Sequence, residues 1–437
     1  MFNWVIEEAR TVSQEAILAR RRLHQLAEVG FKLENTVRYL EGELKLAGLF
    51  PRRIGRCGLV CEVEGEDSAL PRPLDAPSNY KDGNNCQKVT ALKNKCEKKQ
   101  IYRKRCVLLR ADMDALPITE KANIEFKSTN GSMHACGHDM HSAMLLSCAK
   151  ILSKNRNKFK GTIKLVFQPA EEILGGAKDL IEAKILENPK VDCAVMLHTL
   201  TGTNLDTGSI ILPKEGVGAP SAEHFKIKIF GQSAHAGEPS KGKDALSTGI
   251  QLICALNSFV SNQLNGNDTI LSLGKLSSGT SANVIPDECE ILGTMRSYSE
   301  SERALLLSKL RELSIDMPKV LECTSSLEIT GSCPSLTNDA NLINTSTRCL
   351  NLLYNDADFS QNARVISANE FANSKSFQSE DFSYFSQAIP SISVGISAGK
   401  ASNGYLHPLH SPYTTFDEDS IFYGACVYAV LGIELLK

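Results

Sequence analysis

The run Cys106-Val107-Leu108-Leu109-Arg110-Ala111-Asp112-Met113-Asp114-Ala115-Leu116-Pro117 decides the fold class. Four apolar residues in a row read as a strand that is dry on both faces, because a strand with one wet face alternates apolar and polar positions. Such strands lie in mostly parallel sheets covered by helices on both sides. The run then ends in acidic residues, and in open α/β sheets the carboxyl ends of strands are where sites form. Downstream, apolar residues at helical spacing (Met144, Leu145, Cys148, Ala149, Leu152) predict a helix after His141. A strand over 162–167, a helix over 176–183 and a strand over 193–197 follow. Upstream, 5–48 reads as two helices, with Ile6, Ala9 and Val12 on one apolar face and Val37, Leu40 and Leu44 on another, and 56–64 reads as a strand. Alternating strand and helix predicts an α/β fold around a mostly parallel sheet.

Between the first buried strand and its helix stands His134-Ala135-Cys136-Gly137-His138-Asp139-Met140-His141. Five of these side chains are potential metal donors, and thiolate with imidazole suits zinc-like ions better than magnesium or calcium. Gly137 allows a sharp turn, so that Cys136 and His138 can face one ion. The strand 162–167 runs into Gln168-Pro169-Ala170-Glu171-Glu172. In extended chain the two carboxylates point to opposite sides, so one can ligate while the other faces a water. His198 closes the strand 193–197, and His407 and His410 stand near the far end.

The pattern changes in the middle of the chain. Phe225, Ile227 and Ile229 alternate with Lys226 and Lys228, as in a strand with one wet face. A helix over 244–264, strands over 269–273 and 289–297, and a helix opened by Ser299 and Glu302 as a capping box follow. This order predicts a ferredoxin-like α+β unit. It divides the chain into a catalytic domain in two parts, 1–219 and 332–437, and an inserted lid or dimerisation domain, 220–331. The stretch 67–105 has three prolines, many lysines and asparagines and no apolar period, and reads as a solvated insertion.

Composition excludes other classes. The 437 residues carry 48 basic against 50 acidic side chains, a net charge of −2, so neither nucleic acid nor an anionic membrane is expected as a partner. The first residues lack the basic and apolar blocks of a signal peptide. The 14 cysteines therefore read as reduced thiols of a cytoplasmic protein.

Ten separated motifs, in order, resemble one family. They are Arg21-Arg22-Leu23-His24-Gln25 with Glu28-Val29-Gly30-Phe31, Arg110 to Pro117, His134 to His141, Phe167 to Glu172, His198, Ser233-Ala234-His235-Ala236, Asn283-Val284-Ile285-Pro286-Asp287, Gly293-Thr294-Met295-Arg296, Ser379-Glu380-Asp381-Phe382 and Leu409-His410-Ser411-Pro412. Together they resemble the aminoacylase/carboxypeptidase-type metal-dependent amidohydrolases, in the branch of hippurate hydrolase, indole-3-acetyl-amino-acid hydrolase and N-acetyldiaminopimelate deacetylase. The resemblance implies two divalent ions, zinc or manganese, held by Cys136, His138, Glu172, His198 and His410. It implies that Glu171 takes a proton from the attacking water and returns it to the leaving amine, and that Asp114 orients a ligand. It gives His235 the oxyanion, across a dimer interface or on closure, and gives Arg296 and Asn283 the substrate's carboxylate and oxyanion. Asp112 stands where other branches carry a metal-binding histidine and is not assigned as a ligand.

The implied reaction is hydrolysis of an N-acyl amino acid to a carboxylic acid and a free amino acid, in a homodimer or homo-oligomer. The alternatives are a dipeptidase or metallocarboxypeptidase, and a non-catalytic binding protein of the same fold. Three departures bear on the pocket: the long insertion, the absence of prolines in Thr199-Leu200-Thr201-Gly202, and the acidic Glu238 near His235.

Overall fold

The computed structural model describes residues 2–66, 104–371 and 376–437, so the expected insertion lies outside the described residues except for Lys104 and Arg105. Helices α1 (Asn3–Leu26) and α2 (Glu34–Leu46) precede a hairpin of β1 (Arg52–Ile54) and β2 (Gly58–Glu64). Next come β3 (Cys106–Asp112), α3 (His138–Lys154), β4 (Thr162–Gln168), α4 (Gly176–Glu182), β5 (Cys193–Leu200), β6 (Ile210–Leu212) and β7 (Gly216–Ala219). The middle of the chain supplies β8 (Ser221–Phe230), β9 (Ala234–His235), α5 (Ala245–Gln263), β10 (Thr269–Ser278), β11 (Val284–Ile285), β12 (Glu288–Ser297), α6 (Glu300–Val320) and β13 (Thr324–Cys333). Then β14 (Leu336–Asn338), α7 (Ala340–Tyr354), β15 (Val365–Ser367), β16 (Ser391–Ser397) and a last helix, Ser420–Glu434, return to the first layer.

One sheet has eight strands in the order β1-β2-β4-β3-β5-β16-β6-β15. Its centre, β4-β3-β5-β16, is parallel throughout, and antiparallel pairs occur only toward the edges, at β1-β2, β2-β4 and β16-β6. The apolar run of β3 is shared between two cores. Val107 and Leu109 pack with α1, α3 and the last helix, while Cys106 and Leu108 pack on the other face with Leu180 of α4. That is why β3 cannot alternate apolar with polar residues. The second face is also the one that Arg110 and Asp112 continue, and it carries the site. Helix α3 is buried almost all round, between α1, the last helix and the sheet.

The inserted α+β unit is a four-stranded antiparallel sheet, β10-β12-β8-β13, covered by α5 and α6. Phe225, Ile227, Ile229, Leu252, Ile291 and Leu310 fill its own core. On the wet face, Lys226 pairs with Glu328 at 2.6 Å and Lys275 with Glu290 at 2.9 Å. Two expectations need correction. The strand over 193–197 continues to Leu200, so His198 lies within it. The capping box forms by half: Ser299 Oγ accepts the Glu302 N–H, but the Glu302 carboxylate turns to the Asn265 N–H and the Thr269 hydroxyl. That contact ties the start of α6 to the loop before β10 instead of closing the helix end on itself.

Because this core is separate from the two around the large sheet, Leu252→Ala is expected to destabilise the antiparallel unit by about 2–5 kcal/mol. Denaturant unfolding should show this loss while bound metal, measured by elemental analysis on the folded protein, stays unchanged.

Candidate metal centre

Three carboxyl ends of neighbouring strands and the start of α3 meet at one place. Gly137 lies in the left-handed region, φ +82°, and a Cβ there would fall 2.4 Å from Thr199 Oγ1. The chain can therefore turn from Cys136 into α3 only with glycine at this position. The Glu171–Glu172 pair leaves β4 through Ala170, which is itself left-handed at φ +57°, and His410 arrives on a loop with φ +66°. Two non-glycine residues held in this region beside one site represent strain of order 1–3 kcal/mol each, kept by the surrounding fold.

The donors converge. Cys136 Sγ is 3.6 Å from His198 Nε2, and His138 Nε2 is 3.8 Å from Glu172 Oε1. The same Glu172 oxygen lies 3.5 Å from His410 Nε2. Cys136, His138 and His198 form one group close enough to hold an ion, and Cys136, Glu172 and His410 form another. Cys136 thus belongs to both. His138 Nε2 and Glu172 Oε1 are buried and have no hydrogen-bond partner. Two unpartnered buried polar atoms facing one another, an imidazole nitrogen and a carboxylate oxygen, are satisfied by a cation between them. Against burial, Asp112 and Asp114 push the His138 ring well above its ordinary value, so positive charge is favoured here. This donor set fits divalent metal ions.

The protonation of the imidazoles is set from behind. His198 Nδ1 donates to the Thr199 carbonyl at 2.9 Å, which leaves the Nε2 lone pair for the site. His138 Nδ1 faces Asp114 Oδ1 at 3.3 Å, and Asp114 also accepts the Glu171 and Glu172 N–H groups at 3.1 and 3.3 Å. Burial, and then the neighbouring His141, pushes His198 down to about 3, so it stays neutral. Burial, followed by Glu380 and Glu172, holds the Glu171 carboxyl well above its ordinary value. Burial also raises Glu172, to about 7, although His138 opposes it. The Cys136 thiol is raised by burial and then by Glu172. Burial is the main cause of these shifts, but like charge from Glu380 and Glu172 adds to those of Glu171 and Cys136, and a cation would relieve it.

The remaining donors of the His134–His141 stretch, and Asp112, which was not expected as a ligand and lies 3.7 Å from His138 Nε2, have other partners. Asp112 gives one oxygen to His141 Nδ1 at 2.6 Å and the other to Arg110 at 2.7 Å. His141 in turn accepts the Thr199 N–H at 2.8 Å. His134 is buried away from these groups, and Asp139 binds His24 Nδ1 and the Arg20 guanidinium, both at 2.8 Å. Arg296 lines a cavity of about 340 Å³ together with Glu171, Glu172, His198 and His410. The structure does not bring His235 or Asn283 to that cavity. Both are exposed on the antiparallel unit, where the Ala236 N–H bonds the Asn283 carbonyl. Glu238 is exposed as well and pairs with Lys241 at 2.9 Å.

Sequence reasoning gave no role to the support beneath Glu171. Arg110 is fully buried and donates to Gln168 at 2.9 Å, Asp112 at 2.7 Å, Glu380 at 2.9 Å and Asp381 at 3.2 Å. The available signal was an arginine inside an apolar strand, which has to find carboxylates.

Residues 108–432 match the model of peptidase family M20/M25/M40. The chain belongs to this family. It is 31% identical to N-acetylcysteine deacetylase of Bacillus subtilis over 76% of this chain and 82% of that protein. It is 29% identical to thermostable carboxypeptidase 1 of Saccharolobus solfataricus over 98% and 97%. A solved Bacillus subtilis structure described as a dinuclear metal binding peptidase from the M20 family superposes with a TM-score of 0.70 and 25% identity, covering 98% and 99% of the two chains. This M20 chain is accordingly a metal-dependent hydrolase of carbon–nitrogen amide bonds, and its mixed α/β fold is that of the family. Among the described residues no helix is long and apolar enough to cross a membrane.

A protonated carboxyl cannot ligate, and Glu172 sits at about 7 in the metal-free protein, above its ordinary value. Metal affinity should therefore weaken as pH falls through about 7, with proton release on binding near that pH. Calorimetry in buffers of different ionisation enthalpy measures both. The Cys136 thiol also releases a proton on binding across this range, so Glu172 shows as a second proton released below about pH 7. A proton count that does not change between about pH 6 and pH 8 would remove Glu172 from the ligand set.

Proposed function

We propose that this protein cleaves the amide bond of N-acyl amino acids, releasing a carboxylic acid and a free amino acid. The observation that carries the reading is the orphaned pair His138 Nε2 and Glu172 Oε1, set beside a second carboxylate, Glu171, with a raised pKa. Cys136, His138, Glu172, His198 and His410 hold two divalent ions of the zinc or manganese kind. When bound, the ions supply positive charge that acidifies water and polarises the amide carbonyl. Glu171 does what the ions cannot: it takes a proton from water and returns it to the departing amine. Asp114 serves both parts at once, because one carboxylate holds the His138 ring and the backbone of the glutamate pair.

Arg296 suits the substrate's carboxylate, since its fork donates two parallel hydrogen bonds. His235 and Asn283 move as one element of the antiparallel unit. They reach a cavity either in the partner of a homodimer or when the unit closes, and there they stabilise the oxyanion. A cytoplasmic setting keeps the thiolate ligand reduced. The similarity to a carboxypeptidase supports peptides as a second substrate class.

The neighbours Glu171 and Glu172 separate the roles. Glu171→Gln should lower turnover of N-acyl amino acids by about 10²-fold or more at nearly unchanged metal content. Glu172→Gln should lose metal and recover part of its activity in excess metal. Turnover and elemental analysis on both variants measure this, and the reverse pattern would exchange base and ligand. Activity equal in metal-stripped and metal-restored protein on every amide would end the hydrolytic reading.

A further inference from the structure

The floor of the cavity is one face of the large sheet, and its composition changes row by row. The pairing of β5 with β16 sets His198 opposite Gly395 and Met196 opposite Ser393, and Gly395 is opposite Ile211 of β6 on its other side. All five residues line the cavity that contains the candidate ligands. Between His198 and Ile211 there is thus a position without a side chain. A Cβ at Gly395 would lie 3.2 Å from Ile211 Cβ and 3.4 Å from Leu200 Cδ1, so the walls stand at contact distance on either side. The flanking strands β5 and β6 are two strand spacings apart, roughly 10 Å, and the Leu200 and Ile211 side chains narrow the space over Gly395 to a trough about the thickness of a flat group held edge-on. Leu200, Ile211, Leu336 and Ala368 make its sides apolar.

One row further from His198 the floor becomes polar. Ser393 donates its N–H to Asn338 Oδ1 at 2.8 Å, and Asn338 is only 2% exposed. That bond fixes the orientation of the amide, so Nδ2 is the free end. Among the described residues Nδ2 donates to nothing, yet Asn338 lines the cavity. Nδ2 lies beside Gly218 at the cavity wall, where water or a ligand satisfies a donor that has no protein partner.

We propose that this trough receives the acyl group of the substrate and selects flat, apolar acyl groups carrying a hydrogen-bond acceptor at their far side, which Asn338 Nδ2 reads. The proposal rests on the N-acyl amino acid reading above and adds the acyl class to it. Once an apolar ring fills the trough, water is excluded and Nδ2 is either paired by the ring or stranded. Stranding a buried donor costs about 1–3 kcal/mol, and 1.4 kcal/mol is tenfold in affinity. Arg296, from β12 of the antiparallel unit, is left for the substrate's carboxylate.

The test uses manganese-loaded Glu171→Gln protein, so that binding is read without turnover. Dissociation constants are measured by calorimetry for N-benzoylglycine, N-nicotinoylglycine and N-isonicotinoylglycine, which differ only in the presence and place of one ring nitrogen. One pyridine conjugate should bind about tenfold tighter than the benzoyl compound. Adding Asn338→Asp should abolish that preference, since the aspartate keeps the oxygen that accepts the Ser393 N–H and replaces the donor with a second oxygen. Gly395→Ala should weaken all three ring conjugates relative to N-acetylglycine, because its methyl group occupies the trough. Should Asn338→Asp not fold, the preference in the parent pocket and the weakening of all three ring conjugates in Gly395→Ala decide. Equal affinity for the three conjugates, or a preference that survives Asn338→Asp, overturns the proposal. If the wild-type enzyme cleaves none of these conjugates but the affinity preference is present, the assigned reaction fails and the trough assignment stands. Cleavage without preference has the opposite meaning.

Discussion

A guanidinium with no exposed surface holds this site together. Arg110 sits in the middle strand of a dry sheet, where an unpaired cation would cost several kcal/mol. It is balanced by Asp112 from its own strand and by Glu380 and Asp381 from a segment 270 residues away in sequence. Burial would lower the Arg110 pKa, but Glu380, Asp112 and Asp381 prevail and keep it charged. Gln168 completes the ring by accepting from Arg110 and donating to Asp381 at 2.6 Å. Two adjacent strand ends and a distant loop are thereby locked in register. Removing one partner of such a buried network costs about 3–5 kcal/mol, since the others are left as unpaired charges. The position of Glu171 follows, because it leaves the strand at Gln168 and rests above Glu380 and Asp381.

This arrangement explains why two neighbouring glutamates differ in chemistry. Glu172 stands within reach of His138 and His410, where a cation would hold it ionised. Glu171 is surrounded by burial and like charge, which favour its protonated form. A group that ligates has to be ionised, whereas a group that carries protons has to be able to take one up. The two glutamates stand in the turn after β4 rather than in the extended chain that the sequence suggested. The turn that follows left-handed Ala170 gives each side chain its own surroundings, with the buried arginine network below Glu171.

The sheet, the antiparallel unit and the donors at strand ends were legible in the sequence because each follows from a local pattern. The dry run at Cys106, the alternation from Phe225 and the density of donors from His134 to His141 all lie within a few residues. What was illegible depends on which distant residues share a wall. Within the donor-rich stretch, Cys136 and His138 turn toward Glu172, while Asp139 turns to His24 and Arg20 of α1. A window of eight residues contains no information on that division, because it is made by helix packing. The exposure of His235 and Asn283 was likewise invisible, since the antiparallel unit reads the same whether or not its loops lie over the cavity.

The same limit applies to the pocket floor. Gly395 and Ser393 stand in an apolar strand in which small residues look like ordinary packing. Their meaning comes from cross-strand register: glycine falls beside His198, and serine falls beside Met196 and the buried amide of Asn338. A one-residue slip of β16 would bring Val394 and Ile396, whose side chains now fill the opposite core, onto the cavity face. The trough would close and the core would lose two of its members together. Substrate space and core packing are therefore tied to one register, and the hydrophobic burial that stabilises the sheet also keeps the floor beside the metal ligands open.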